Sequence, residues 1–248
     1  MKHLHKYSRI LDLPDQRDYQ YTPTAAKLPR SVDLRPQMPP VYDQGQLGSC
    51  VSNAVAGVSA FLWMKVKNNI NPSRLFIYYN GRVIENTIEQ DSGLSSRDGI
   101  KSVVNNGVCP ETEWPYVISK FKNKPTEKCY ADAIKHKALK YQSVSQTLTD
   151  MKSVLAGGYP IVIGISVYKS FENASVAKTG IVPMPAAKER VLGGHSIVVV
   201  GYDNRKQWFI VRNSWGESWG AKGYCYLPYA YLTNPKLSSD FWVITSEN

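Results

Sequence analysis

Residues 43–67, DQGQLGSCVSNAVAGVSAFLWMKVK, place a polar turn rich in glycine and glutamine directly before a long apolar segment. Apolar residues recur at helical spacing after the turn, which predicts a helix over 49–67 with Ser49 as its N-cap. Cys50 therefore stands at the start of that helix, behind a turn that carries Gln44 back toward it. Because a helix N-terminus stabilises an anion, this position suits a reactive cysteine better than a structural one.

The two halves of the chain differ in the elements that they predict. Proline makes the segment before the turn extended, and further helices are predicted from Ser73, from about Ser96 to a stop at Gly107, and over 147–156. Later runs of β-branched and aromatic residues, separated by Gly, Pro and Asn, predict strands within 158–168, 193–203, 207–215 and 223–232. Helices followed by strands indicate an α+β protein with two segregated lobes.

The composition excludes several classes of protein. The chain has 248 residues, 43% of them hydrophobic, and a net charge of +10, which are values of an ordinary globular protein. No apolar run approaches the roughly 18 residues of a membrane helix, and no secretory signal precedes the domain. We therefore expect no membrane partner, and a cytoplasmic, virion-associated or non-classically exported monomer. The basic clusters 120–128 and 135–140 lack a nucleic-acid motif and indicate a solvated positive face.

Context singles out one pair among the four cysteines and four histidines. His195 begins an apolar strand behind two glycines, where other chain can approach closely, and Cys50 begins a helix. The remaining candidates lie in a strand, among lysines or in the N-terminal tail: Cys225, His136, His3 and His5. Cys109 and Cys129 either pair across a short loop or stay two free thiols. No other ligand pair than the tail histidines has zinc spacing, so we expect no metal site.

The chemistry of a thiol explains the other residues. A free thiol is only about 3% ionised at pH 7, and lowering its pKa to about 4 takes roughly 6 kcal/mol, of which a helix terminus supplies about 2. A protonated His195 must supply the rest, and two antiparallel strands joined by DNRKQ would bring Asn213 beside it to hold its ring. Gln44 and the Cys50 N–H could bind an oxyanion, although Gln44 also suits a plain turn. Trp215 could shield the ring or simply be core.

These residues resemble the papain-like (cathepsin-like) cysteine peptidases. The order Gln, Cys, His, Asn, the Q-x5-C spacing and the block NSWGESWGAKGY match that family over about residues 28–248. His195 follows Cys50 at the family's separation of about 130–150 residues, and Asn213 follows slightly later. The resemblance implies a cysteine endopeptidase that needs no cofactor and acts on peptides or proteins through an acyl-enzyme. It also implies sensitivity to cystatin-like or epoxide-type inhibitors.

The resemblance further implies a two-lobe fold with the cleft between the lobes. The helical lobe would cover 28–140 and a lobe with an antiparallel, β-barrel-like sheet 141–248. Gly93 would expose backbone to an extended substrate, unless it is an ordinary turn glycine, and Gly194 and Trp215 are the other expected substrate-binding residues. The C-terminal stretch YAYLTNPKLSSDFW would form one wall of a side-chain pocket.

The sequence also departs from the family pattern. Leu47 replaces the first cysteine of the family signature, Val51 replaces an aromatic residue, and Gly194 stands where many members carry Asp. This indicates a divergent branch of the kind found in bacteria and large viruses. Residues 1–27 are too short for the usual helical prodomain, so they are either a short pro-segment of a zymogen, which restrains activity, or an arm without regulatory effect. An acyltransferase with the same triad and an inactive peptidase-like binding module are the alternative functions.

Overall fold

The computed structural model describes residues 6–22, 27–137 and 139–246, without the side chains of Leu139 and Ser246. The tail histidines His3 and His5, and part of the predicted arm, lie outside these residues. The helices of the described residues are α1 (Cys50–Lys65), α2 (Arg74–Ile84), α3 (Ser96–Asn106), α4 (Glu127–Ala133), α5 (Leu148–Ala156), α6 (Ala174–Thr179) and α7 (Tyr229–Leu232). The strands are β1 (Ser31–Asp33), β2 (Leu139–Ser143), β3 (Ile161–Tyr168), β4 (Val191–Asp203), β5 (Trp208–Arg212), β6 (Tyr224–Pro228) and β7 (Ser238–Ser246).

The strands form an antiparallel sheet in the order β2-β7-β3-β4-β5-β6, with β1 paired to β4. Helices α1, α2 and α3 lie between β1 and β2 in the chain and pack together, and α1 also contacts β4. The predicted α+β architecture is therefore confirmed. The path of the sheet stays open from β2 to β6 within the described residues, so the sheet does not close into the expected barrel.

Helix α1 is the centre of the hydrophobic core. Every residue from Cys50 to Trp63 is buried, because helices cover one side of α1 and the sheet covers another. Ser49 precedes the helix as predicted, but its side chain makes no capping hydrogen bond. Its hydroxyl is bonded to the Tyr116 hydroxyl and to the Asn53 amide instead. The first turn of α1 is thus tied to a neighbouring loop.

Local signals placed the other early helices correctly. Ser73 caps α2 by accepting from Phe76 N, and Gly107 ends α3 with φ of 71°. Thr147 likewise caps α5 by accepting from Asp150 N. Side-chain oxygens at an N-cap and glycine past a C-terminus satisfy or release backbone groups that the helix leaves open.

The later elements differ from the predictions in three places. Strand β4 begins at Val191, so His195 lies inside the strand, because β3 extends to Tyr168 and pairs with Val191. The run 223–232 is not one strand: β6 ends at Pro228, which has no N–H to pair, and α7 follows. Helices α4 and α6 and strands β2 and β7 were not predicted, since polar residues interrupt the apolar pattern of each.

Candidate active site

Cys50 lies at the first position of α1 and is fully buried. The turn before it is formed by Gly45, whose φ is 57° and whose N–H donates to the Asp43 carboxylate at 2.8 Å. The backbone N–H of Ser196, the residue that follows His195, lies near the Cys50 sulfur and lowers the pKa of its thiol. The structure therefore brings the start of α1 and the middle of β4 together at the sulfur.

His195 and Asn213 are joined by a hydrogen bond of 2.8 Å between Nε2 and Oδ1. The register of β4 and β5 produces this contact, since Val198 lies opposite Arg212. The same Asn213 oxygen accepts from Ser214 N at 2.8 Å, so it is the carbonyl oxygen and His195 Nε2 must be the donor. Asn213 thus sets the orientation and tautomer of the imidazole.

Trp215 covers the His195–Asn213 pair. Its ring stacks on the imidazole with the centroids 5.0 Å apart and an interplanar angle of 24°. Both rings are buried, and Phe171 packs edge-on against Trp215 at 5.6 Å. The two sequence interpretations of Trp215, shield and core residue, therefore describe the same position.

Gln44 is held rigidly and fully buried in the turn before α1. Its Oε1 accepts from Ser214 Oγ at 2.6 Å, and its Nε2 donates to Leu47 O at 3.1 Å. These bonds identify the amide nitrogen, which has a second proton to donate. Tyr116 donates to Gln44 O at 2.9 Å, so the main chain of the turn is fixed as well.

The electrostatics of Cys50 differ from the sequence expectation. Complete burial raises the pKa of the thiol, against the Ser196 N–H, the positive charge of Arg9 and the N–H groups at the start of α1, which lower it. Burial is the largest of these effects because a thiolate without water is poorly solvated. In this state the environment favours the neutral thiol, whereas a strongly lowered pKa was expected.

The N-terminal arm, residues 6–22, provides that cover. Ser8 Oγ donates to Gly48 O at 3.1 Å, Arg9 N donates to Gly194 O at 3.1 Å, and Ile10 N donates to Leu94 O at 3.0 Å. The Tyr7 ring lies 6.2 Å from the His195 ring and 6.1 Å from Trp215. The arm therefore runs over the groups predicted to react, as an extended chain bonded to both sides.

Gly93 and Gly194, the predicted substrate-binding glycines, contact this arm. A Cβ on Gly93, whose φ is +83°, would lie 1.7 Å from Ser8 O, and one on Gly194 would lie 2.8 Å from Arg9 O. Both positions let a foreign backbone approach more closely than a side chain would allow. Both glycines therefore allow the backbone of an extended chain to bind, and in this structure that chain is the arm.

Charged contacts anchor the arm along its length. Lys6 pairs with Asp91, Arg9 with Asp240, and Asp18 with Arg97. The Tyr7 hydroxyl donates to Glu172 at 2.5 Å, and burial together with this carboxylate raises the pKa of Tyr7. Further along, Asp12 accepts from Trp242 Nε1 at 2.7 Å, and Tyr19 and Tyr21 bond to the backbone of Ser143.

Two acidic residues of the site were not found by sequence reasoning. Asp91 accepts from Gly48 N at 3.0 Å and from the Tyr78 hydroxyl, so it holds the turn before Cys50 as well as the arm. Asp240 lies in the C-terminal stretch expected to form a pocket wall, and its φ of 55° is left-handed. No local sequence pattern distinguishes either carboxylate from other surface acids. Asp91 nevertheless lies two residues before Gly93, and Asp240 lies in the C-terminal stretch, both of which were expected to contact substrate.

Other chemistry finds little support in the described parts of the chain. No group of three or more His, Cys, Asp or Glu residues there could hold a metal ion, and no helix there is long and apolar enough to cross a membrane. Cys109 and Cys129 are both free thiols, and burial together with the nearby Cys129 thiol raises the pKa of Cys109. Of the two alternatives for this pair, the structure holds the unpaired one.

Comparisons with known proteins agree with this geometry. The sequence profile of the family described as "Papain family cysteine protease" matches residues 28–234. An uncharacterized peptidase C1-like protein of Acanthamoeba polyphaga mimivirus is 43% identical over 225 residues, which are 87% of this chain and 72% of that protein. Cysteine proteinase 3 of Dictyostelium discoideum is 28% identical, and the match covers 81% of this chain but only 59% of that proteinase.

Solved structures show the same fold. Xylellain, a cysteine protease from Xylella fastidiosa, superposes with a TM-score of 0.92 at 40% identity, covering 100% of this chain and 99% of that one. Digestive procathepsin L 3 of Tenebrio molitor superposes with a TM-score of 0.74 at 18% identity, covering 92% of this chain and 73% of that one. The second likeness extends to the fold alone.

Proposed function

Because the chain belongs to the papain family of cysteine proteases, we propose that it is an endopeptidase in which Cys50, His195 and Asn213 form a catalytic triad. The observation that carries this proposal is the arrangement around one strand. Asn213 is hydrogen-bonded to the His195 ring at 2.8 Å, and the N–H of Ser196, the residue after His195, lies near the Cys50 sulfur and lowers the pKa of its thiol. A nucleophile, a base and a group that orients the base are the parts that thiol-dependent acyl transfer needs.

In the proposed reaction His195 takes the proton of the Cys50 thiol, and the sulfur attacks the carbonyl carbon of a peptide bond. The developing oxyanion accepts hydrogen bonds from the Gln44 side chain and from the Cys50 N–H. His195 then gives a proton to the leaving amine, which departs, and the acyl group stays on the sulfur. A water molecule then gives a proton to His195 and attacks the thioester, so that the carboxylic acid is released. The proton on His195 returns to the Cys50 sulfur, and the enzyme is ready for the next substrate.

The rigid Gln44 side chain supports its proposed role. Its carbonyl oxygen is engaged by Ser214, so the amide nitrogen is the group that remains available to donate. Donors that are fixed before the reaction cost no reorganisation when charge develops, which is the basis of an oxyanion hole. Peptides or proteins are the substrates of this chemistry, and no cofactor takes part.

The test of this function compares the full chain with its Cys50→Ala variant on an unbiased library of internally quenched peptides. We expect cleavage of internal peptide bonds by the wild type and none by the variant. Mass spectrometry of the products, with and without an added amine, separates hydrolysis from acyl transfer. Equal cleavage by both proteins, or products found only as amine adducts, would contradict an endopeptidase that uses Cys50.

The same geometry supports a second part of the proposal, that the arm restrains the enzyme. The arm backbone bonds to Gly194 and Leu94 and buries Cys50, so a substrate chain cannot use these groups at the same time. A protein that begins at Leu28, where the family match begins, should therefore have a higher kcat/KM than the full chain. Equal values in the two proteins would show that the arm has no regulatory effect.

A further inference from the structure

The side chain of Arg9 fills a pocket beside the proposed catalytic groups. The Arg9 side chain is only 3% exposed and pairs with the Asp240 carboxylate, while its Nη2 donates to Ser239 Oγ at 3.1 Å. Gly164 leaves room for it, since a Cβ there would lie 1.9 Å from Nη1. We call the site formed by Gly164, Gly194, Ser239 and Asp240 the Asp240 pocket.

The Asp240 pocket is one residue away from the reacting groups. Arg9 N donates to Gly194 O, which directly precedes His195. Gly164 lies opposite Ser196 across β3 and β4, and the N–H of Ser196 lies near the Cys50 sulfur. Any extended chain that bonds to Gly194 O as Arg9 does will direct a side chain into this pocket.

The charge of the pocket determines which side chain is favourable. Asp240 is 10% exposed, and the hydrogen bonds that it accepts within the described residues come from Arg9 and Asp12 N, both in the arm. When the arm leaves, both donors leave with it, and the Asp240 carboxylate keeps its negative charge in the groove with no cation from the arm beside it. A basic substrate side chain restores the ion pair that Arg9 makes, whereas a neutral side chain in the pocket would cover the carboxylate without a partner, so the basic side chain is favoured.

The backbone of the pocket supports a built site rather than a chance contact. Asp240 adopts φ of 55°, a left-handed conformation that is uncommon outside glycine and turns. The strand register shifts between Val162 and Gly164, where β3 meets β7, so the ladder is interrupted at the pocket floor. Strained or irregular backbone of this kind is concentrated at ligand-binding sites.

From this geometry we infer that the Asp240 pocket selects an arginine or lysine side chain of the substrate, and that Arg9 occupies the place of that side chain while the arm is bound. The inference rests on the proposed endopeptidase function and names its substrate class. The absence of a side chain at Gly164 leaves space for a long side chain, and Asp240 and Ser239 provide the hydrogen-bond acceptors for its charged end.

The test uses the full chain and irreversible peptidyl fluoromethyl ketones that alkylate an active-site cysteine. Three pairs of probes carry Arg or Leu at the first, second or third residue before the reactive group. Within each pair the ratio of alkylation rates at Cys50 does not depend on how often the arm opens, because the open fraction multiplies both rates. The ratio therefore reports the pocket in the full-length protein.

At one of the three positions the wild type should react with the Arg probe at least about tenfold faster than with the Leu probe. The preference should fall to near equality in Asp240→Asn, which keeps the shape and removes the charge. Gly164→Ala, which fills the pocket floor without changing any charge, should also lower the ratio. Glu172→Gln is the matched control, since it removes a carboxylate that contacts Tyr7 of the arm outside the pocket and should keep the preference.

Three results overturn the inference. Labelling of Cys50 by every probe with no preference for Arg at any position would refute the pocket and leave the proposed function standing. If the preference for Arg is unchanged in Asp240→Asn, residues other than Asp240 must cause it. If no probe modifies Cys50 at all, the proposed function fails, and the inference fails with it.

Discussion

Replacing Arg9 with alanine in the full-length chain should release the arm and expose Cys50. The Arg9–Asp240 pair is the most buried ion pair that joins the described arm to the body of the protein, with side chains 3% and 10% exposed. The substitution leaves the Asp240 carboxylate with a single backbone donor, Asp12 N, as long as the arm remains bound. The bound state is thereby destabilised, while the open state, in which water reaches Asp240, is affected much less.

The size of the effect follows from the burial of the pair. Removing one partner of a buried ion pair costs about 3–5 kcal/mol. The lower value applies here because the pocket lies at a surface groove. A change of about 3 kcal/mol raises the fraction of open molecules by about 150-fold, at 1.36 kcal/mol per factor of ten.

The rate of Cys50 alkylation by iodoacetamide measures the open fraction, because a small opened population reacts in proportion to its size. Mass spectrometry distinguishes Cys50 from the three other thiols, which are also buried. Arg17→Ala is the matched control, since it removes an arginine from the same arm whose partner is Asp15, also in the arm. That variant should react at the wild-type rate.

The proposed role of the Arg9–Asp240 pair would be refuted if Arg9→Ala and Arg17→Ala both reacted with iodoacetamide at the wild-type rate. Such a result would mean that the Arg9–Asp240 pair does not hold the arm, or that the arm does not limit access to the sulfur. A higher rate in both variants would assign the effect to the general charge of the arm rather than to the pair.

Three further predictions concern the triad, the thiol and the core. Asn213→Ala should lower kcat/KM by on the order of tenfold or more and alter its pH profile, because the His195 tautomer is no longer set; an unchanged profile would contradict that role. Burial under the arm raises the pKa of Cys50, so deleting the residues before Leu28 should lower the pKa of this thiol. The pH profile of Cys50 alkylation should then move to lower pH than that of the full chain. A move to higher pH would show that losing the Arg9 charge affects the thiolate more than regaining contact with water. Arg82→Leu should lower the free energy of unfolding, measured in urea, by about 3 kcal/mol, because the fully buried guanidinium donates to several main-chain carbonyls of the next loop. As a control, Arg205→Leu at an exposed position should change the free energy of unfolding by no more than about 0.5 kcal/mol.

Much of the fold and the location of the candidate site were predictable because the signals are local. Capping residues such as Ser73 and Thr147, and the stop at Gly107, act within a few residues of the groups that they satisfy. The β4–β5 hairpin needs only a short turn, so the position of Asn213 beside His195 followed from strand periodicity. Strand β7 escaped prediction because its polar start, around Asp240, breaks the alternation of apolar residues.

By itself the sequence determined the order of the proposed reacting groups, the helix that begins at Cys50, the strand that holds His195 and the strand that ends just before Asn213, since each depends on neighbours in the chain. Only the tertiary structure decided that Arg9 lies against Asp240, 231 residues away, and that the arm covers the sulfur. It also decided the direction of the pKa of Cys50, because burial depends on which distant segments exclude water from the thiol. Contacts across such separations carry no periodicity along the chain, so only the folded arrangement of the chain can show them.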